Sequence, residues 1–193
     1  QGLRPQDLFN VMVFEGSSKV LMKDMIQGLR PQDLFNVMVF EGSSALWAPE
    51  SRHATPDNLQ SALDFVREQN GGGGTELGSA LRRALDLPRV PGISRTFTVS
   101  TDGYISADAS IFDLIRQHLG DANLFAFGIG SSVNRHLIEG MAHAGQGEPF
   151  VVTKQEEAAA DADRFRAYVS SPALSQVRLR MDGMLRAVAS PPM

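Results

Sequence analysis

The sequence contains no cysteine, which excludes a disulfide framework, a zinc–thiolate site and a thiol nucleophile. It has no apolar stretch approaching the ~20 residues of a membrane span, and its start shows no signal-peptide pattern. Basic residues do not exceed acidic ones, since 18 Lys and Arg face 22 Asp and Glu for a formal charge of −4. We therefore expect neither a nucleic-acid-binding protein, which would carry a clustered positive excess, nor a membrane-spanning one.

What the chain does have is a globular composition, with 42% hydrophobic and 21% charged residues over 193 positions. This length corresponds to one domain with a short extension. Short apolar runs alternate with stretches of helical periodicity, which predicts an α/β protein with a parallel sheet covered on both faces. We predict strands over residues 8–14, 34–40, 45–47, 96–100, 124–129 and 150–152.

An exact repeat opens the chain, because residues 1–18 and 27–44 both read QGLRPQDLFNVMVFEGSS. One offset seen once is not a solenoid, and we interpret it as a duplication, either recent or artificial. In each copy the run Leu-Phe-Asn-Val-Met-Val-Phe is typical of a buried strand. Residues 19–29 carry a helical apolar stripe, so the segment predicts a strand–helix–strand unit.

The other helices are delimited by capping signals. Thr55 followed by proline predicts a helix start, and Thr75 is expected to open the next helix. Thr153 and Glu156 form a capping box for a helix that reaches about Val169. Further helices are predicted around residues 111–119 and 137–141. The tail, residues 173–193, has the alternation of a β-hairpin and predicts the start of a β-rich neighbouring segment.

Three polar loops follow or adjoin predicted strand ends, at residues 15–18, 71–75 and 100–103. Ligands of open α/β sheets bind at the carboxyl ends of the strands, near the switch in strand order. These loops are therefore the candidate binding surface.

The same loops carry a resemblance to a known family. The segments GGGGTELGSALRRAL, FTVSTDGYI, DANLFAFGIGSSVNRHLIEGMAHAGQG and DRFRAYVSSPALS resemble a von Willebrand factor type A domain, most closely that of inter-α-trypsin inhibitor heavy chains and their bacterial relatives. The resemblance covers about residues 19–172, and we assign residues 1–172 to this domain. It implies a Rossmann-like, doubly wound, mostly parallel sheet of six strands with one antiparallel edge. It also implies a non-enzymatic adhesion module of a secreted or cell-envelope bacterial protein.

The resemblance further implies a metal-ion-dependent adhesion site, where Mg²⁺ or Mn²⁺ keeps one position open for an acidic side chain of a protein partner. Thr75 matches the family's threonine after a Gly-rich loop, and Asp102 matches the aspartate of its Thr-Asp-Gly turn. The family's Asp-x-Ser-x-Ser motif is missing. At its place stand Glu15, Ser17 and Lys19, which bring one longer carboxylate and one cation. We interpret the first strand as a copy of the second and expect a degraded metal site.

Other interpretations compete with this one. The two identical strands predict a scaffold without a ligand site, or a homo-oligomer assembled by strand swapping. A nucleotide-dependent enzyme would need a P-loop Lys-Ser/Thr or a complete dinucleotide fingerprint after Gly128, and a serine hydrolase needs a Gly-x-Ser-x-Gly turn. None of these is present. His136, Glu139 and His143 share one helix face as potential zinc ligands, but the surface of a solvated helix is the better interpretation.

Overall fold

The computed structural model describes residues 7–13, 18–41, 43–69, 77–91, 93–101, 109–153 and 158–170. Strands and helices alternate through most of these ranges, as the sequence predicts. In chain order the elements are β1 (Asp7–Val13), α1 (Ser18–Gln27), β2 (Leu34–Glu41), β3 (Ser43–Leu46), β4 (Arg52–His53), α2 (Pro56–Glu68), α3 (Leu77–Leu85), β5 (Ser94–Thr101), α4 (Ala109–His118), β6 (Asn123–Ile129), α5 (Arg135–Ala144), β7 (Pro149–Val152) and α6 (Ala158–Ser170).

The strands form one sheet in the order β3-β2-β1-β5-β6-β7, with β4 also paired to β2. Strands β1, β2, β5, β6 and β7 are parallel, whereas β3 runs antiparallel to β2 and supplies the expected antiparallel edge. The expectation of six strands is wrong, because the described sheet has seven. The additional strand, β4, contributes only Arg52 and His53, both exposed, and two exposed polar residues leave no hydrophobic pattern to detect.

The two copies of the repeat lie side by side. Strand β1 pairs with β2 in parallel, and each residue lies next to its own duplicate, as in Phe9 beside Phe35 and Asn10 beside Asn36. Helix α1 connects them, which confirms the predicted strand–helix–strand unit. The duplicated string therefore takes the same strand conformation twice, in neighbouring places of one sheet.

Two apolar layers cover the sheet. Helices α1, α2 and α6 bury a cluster with the side chains on one face, including Leu21, Met25, Phe35, Val66, Phe127 and Phe165. Helices α3, α4 and α5 cover the opposite face, with Met38, Leu81, Phe97, Ile115, Leu124 and Ile138. The prediction of a doubly wound sheet with helices on both faces is confirmed.

The helix boundaries reflect local chemistry. The Thr55 hydroxyl accepts a hydrogen bond from the Asn58 amide at 3.3 Å, and Pro56 is the first helical residue of α2, as predicted. Beyond α4, Gly120 has a φ of +68°, a conformation that glycine adopts without the strain of a Cβ. The capping box rests on Glu156, and the hairpin on residues 173–193. Both lie outside the described residues and stay predictions.

Candidate functional site

The switch in strand order lies between β1 and β5. These two strands are parallel neighbours, with Met12 beside Val99. Helix α1, which follows β1, packs on one face of the sheet, while α4, which follows β5, packs on the other. The chain thus leaves the two central strands in opposite directions, and this arrangement opens a crevice at their carboxyl ends. The predicted binding edge is the edge at which the topology provides such a crevice.

The four predicted metal ligands, Glu15, Ser17, Thr75 and Asp102, all lie outside the described residues. The structure locates only the elements that flank them. Strand β5 ends one residue before Asp102, α1 begins one residue after Ser17, and α3 begins two residues after Thr75. That the four side chains form one site stays a prediction.

Lys19 lies in the first turn of α1, directly beyond this edge. Its ammonium donates a hydrogen bond to the Gln69 carbonyl oxygen, with Nζ 2.9 Å from that atom. Gln69 is the C-cap residue of α2, so the ammonium lies at the negative end of the α2 dipole, where a cation is stabilised. The side chain is half-buried. A positive charge is therefore held in place beside the candidate site.

These residues do not fit the magnesium site that the family resemblance implies. In the family pattern that the resemblance implies, Lys19 falls at the position of a serine ligand, and an ammonium has no lone pair to offer a metal. At ~4 Å, two unit charges of one sign repel by about 4 kcal/mol at an effective dielectric constant of 20. The hydrogen bond to Gln69 keeps the Lys19 ammonium close to the carboxyl edge of the sheet. In the described ranges, no group of three His, Asp or Glu side chains is placed to hold a metal ion.

Buried hydroxyl groups at the end of β5 are a feature that the sequence reading missed. Thr98 and Ser100 are fully buried, and their side-chain oxygens have no hydrogen-bond partner among the residues that the structure describes. Ser100 pairs in register with Phe127, which packs in the same cluster as α1, so Ser100 shares the sheet face that α1 covers. An unpaired buried hydroxyl costs about 1–3 kcal/mol. In the sequence, the alternation of Thr98 and Ser100 with Phe97 and Val99 could have indicated that two hydroxyl side chains share one face of this strand.

The histidine cluster on α5 has the character of a solvated surface. His136, Glu139 and His143 are all exposed. The His136 ring meets the edge of Phe112, with ring centroids 5.9 Å apart. Gly128 likewise has a packing role, because a Cβ there would collide with Val133 Cγ1. This glycine lets α5 approach β6 closely, so packing alone accounts for a glycine at this position.

Trp47 packs against the edge of the sheet. Its ring stacks on Phe35 with centroids 4.9 Å apart, and its Nε1 donates to Ser61 Oγ at 3.1 Å. Both contacts are internal, which supports a structural role.

No helix in the part of the chain that the structure describes is both long enough and apolar enough to cross a membrane.

Comparison with solved structures finds the same fold. A von Willebrand factor type A protein from Catenulispora acidiphila superposes with a TM-score of 0.73 at 18% identity, over 84% of this chain and 42% of that one. Proximal thread matrix protein 1 from the mussel byssus, with a zinc-occupied MIDAS motif, gives a TM-score of 0.68 at 16% identity, over 84% of this chain and 48% of that one. At these identities the likeness establishes the fold alone.

Comparison of sequences identifies the family. Human von Willebrand factor A domain-containing protein 5B1 is 27% identical over 130 residues, which make up 67% of this chain and 11% of that protein. The human 5A protein is 29% identical over 132 residues, 68% of this chain and 17% of its own length. The chain thus spans less than a fifth of these relatives. A family model described as von Willebrand factor type A domain matches residues 15–149, well over half of the chain, which therefore belongs to the von Willebrand factor type A domain family.

Proposed function

We propose that this chain is a non-enzymatic protein-binding module of the inter-α-trypsin inhibitor heavy-chain type, whose metal-ion-dependent adhesion site is degraded. Its partner would be a protein that presents an acidic side chain to the carboxyl edge of the sheet. The proposal places the chain in a secreted or cell-envelope bacterial protein. It is supported by family membership and by the crevice between β1 and β5.

The observation that carries the proposal is the anchored ammonium of Lys19. It occupies a metal-ligand position of the family pattern, and its Nζ lies 2.9 Å from Gln69 O. Because a cation already lies beside the candidate site, we expect Mg²⁺ and Mn²⁺ to bind weakly or not at all. Contact with a partner then depends on the loops themselves, without a resident metal.

Two substitutions restore the family's ligand pattern and test this reasoning. The variant E15D/K19S recreates the Asp-x-Ser-x-Ser spacing and removes the positive charge. Isothermal titration calorimetry should detect no heat when millimolar Mg²⁺ or Mn²⁺ is added to the unmodified protein, but clear binding to E15D/K19S. Adding D102A to that variant should abolish the binding, because it removes the remaining predicted carboxylate ligand.

The second copy of the repeat offers a matched control. E41D/A45S creates the same spacing at the end of β2, but the residues that follow pair back onto β2 as strand β3 and do not open a helix. We expect this variant to bind no metal. Metal binding by the unmodified protein that depends on Asp102 would show that the site is intact. If E15D/K19S also binds no metal, its two substituted residues do not form a metal site with Thr75 and Asp102.

A second candidate function is a structural scaffold or a strand-swapped assembly without metal-dependent ligand binding. The observation that favours it is the in-register pairing of the identical strands β1 and β2. A strand with two equivalent places in one sheet can also be supplied by another molecule. Light scattering over a dilution series measures the oligomeric state and separates this candidate from a monomeric binding module.

A further inference from the structure

We infer that the Lys19 ammonium replaces the missing metal ion and binds the carboxylate of an acidic protein side chain directly, without a divalent cation. This inference rests on the proposed function, because it assigns the ligand to the same edge of the sheet. It differs in its chemistry. The cation that attracts the partner is part of the polypeptide and is present at any metal concentration.

The position of Lys19 is the first argument. Lys19 is the second residue of α1, and α1 follows β1, one of the two strands that flank the crevice. Ligands of doubly wound sheets bind in this crevice because its walls diverge there and leave backbone and side chains accessible. A charged group in the first turn of the helix therefore borders the place where a ligand is expected.

The Lys19 ammonium is anchored, and among the described residues it uses only one of its donors. An ammonium carries three N–H donors, and one of them is directed at the Gln69 carbonyl oxygen. Among the described residues, no carboxylate forms an ion pair with Lys19; the recorded pairs involve arginines and His118. The fixed carbonyl reduces the freedom of a long side chain, so less entropy is lost when a ligand binds.

A further polar group lies near this end of the sheet. The Ser100 hydroxyl has no hydrogen-bond partner within the described ranges, and Ser100 is fully buried as the penultimate residue of β5. It lies on the sheet face covered by α1, the helix that carries Lys19. A hydroxyl without a partner among the described residues is a group to which a polar ligand or an accompanying water can hydrogen-bond.

The experiment observes the lysine side chains directly, with acetate as the carboxylate probe. The sequence contains three lysines, Lys19, Lys23 and Lys154, so a ¹⁵N spectrum of the side-chain ammonium groups shows few signals. Sodium acetate is titrated against sodium chloride at equal ionic strength, in the presence of EDTA. Lys23 is the matched control, because it is exposed on the same helix. Signals are assigned with K19Q and K23Q.

We expect acetate to shift the Lys19 signal in a saturable manner, with an apparent affinity about fivefold higher than at Lys23, which is the factor in binding constant that a strong exposed ion pair gives. K19Q should change the melting temperature little, because it removes one hydrogen bond at a half-buried position and no ion pair among the described residues. A Lys19 response equal to that of Lys23 overturns the inference. So does a response that appears only after Mg²⁺ replaces EDTA, since that result requires a bound metal. Either outcome leaves the E15D/K19S test of the proposed function to be judged by itself.

Discussion

At the scale of single residues, Arg95 is a buried cation whose role is structural. It is only 4% exposed, and its guanidinium donates to the carbonyl oxygens of Ala84, Leu85 and Leu87 at 3.0–3.4 Å, at the end of α3. It also lies over the Phe97 ring, 4.6 Å from the centroid. Burial lowers the pKa of Arg95 to about 10. The group therefore stays charged at neutral pH and caps the negative end of the helix.

We predict that R95A lowers the free energy of unfolding by about 3 kcal/mol, because the last carbonyls of α3 would lose charge-assisted partners inside the protein. Urea denaturation followed by circular dichroism measures the loss. The control is R116A, which removes an exposed pair with Asp113 and should cost less than about 1 kcal/mol. Equal losses in the two variants would contradict the capping role.

The lowered pKa of Arg95 also predicts the direction in which the stability of the protein changes with pH. The native state releases this proton at lower pH than the unfolded chain, so the contribution to stability rises with pH, from about pH 10 upwards. Between about pH 5 and 8 both states keep the proton. Arg95 should therefore add no slope to the stability of the protein in that interval, which a denaturation series over pH can check.

At the scale of elements, one string of residues leads into two different structures. The segment Phe-Glu-Gly-Ser-Ser ends both copies of the repeat. At the end of the first copy, Ser18 is the first residue of a helix and is buried. At the end of the second copy, Ser44 lies in antiparallel strand β3, and its carbonyl oxygen accepts a hydrogen bond from Arg83. The residues that follow each copy determine which structure forms. An apolar helical stripe follows Ser18, whereas Pro49 follows Ser44 closely and prevents a long helix.

Phe165 packs helix α6 against the sheet. Its ring meets Phe125, Phe127 and Phe150 edge-on, with centroids 5.1, 5.5 and 6.0 Å away, and it is 1% exposed. This contact joins the last described helix to the strands β6 and β7.

We predict that F165A destabilises the protein by about 3–5 kcal/mol, because it removes a buried ring and leaves a cavity among aromatic neighbours. Tyr168 provides the control on the same helix, since it is 53% exposed although it touches Phe125. Y168A should lose no more than about 1 kcal/mol. If both variants show the same melting temperature, α6 does not depend on this aromatic cluster.

At the scale of the whole molecule, the repeat makes two places in the sheet equivalent. Strands β1 and β2 are identical from Asp7 to Val13 and from Asp33 to Val39, and they pair in register. Register normally depends on a pattern that differs between strands. Here the pattern is the same in both, so a strand from a second molecule matches either place.

We predict a dimer population that grows with protein concentration, because strand exchange costs few native contacts and gains identical ones. Size-exclusion chromatography with light scattering over a dilution series measures it. A synthetic peptide of residues 6–14 should compete for the strand position and reduce the dimer, whereas a scrambled peptide should not. A mass that stays monomeric at every concentration would contradict this prediction and the strand-swapped scaffold.

The sequence by itself determined the classes and most boundaries of the elements. The apolar run from Leu34 predicted β2, because burial on both faces leaves a continuous apolar pattern in nearby residues. Thr55 followed by proline predicted the start of α2, because these residues satisfy the first turn of a helix locally. Motif resemblance, rather than periodicity, indicated the family and the candidate residues Thr75 and Asp102. Their assembly into a site depends on residues outside the described ranges, and it stays a prediction.

Only the tertiary structure decided what depends on contacts between distant residues. It placed β1 beside β5, paired β4 with β2, and held the Lys19 ammonium on Gln69, which is 50 positions away in the chain. It also gave the end of the repeat a helix in one copy and a strand in the other. A short string carries local preferences alone, and its final conformation depends on which surface of the fold it must cover.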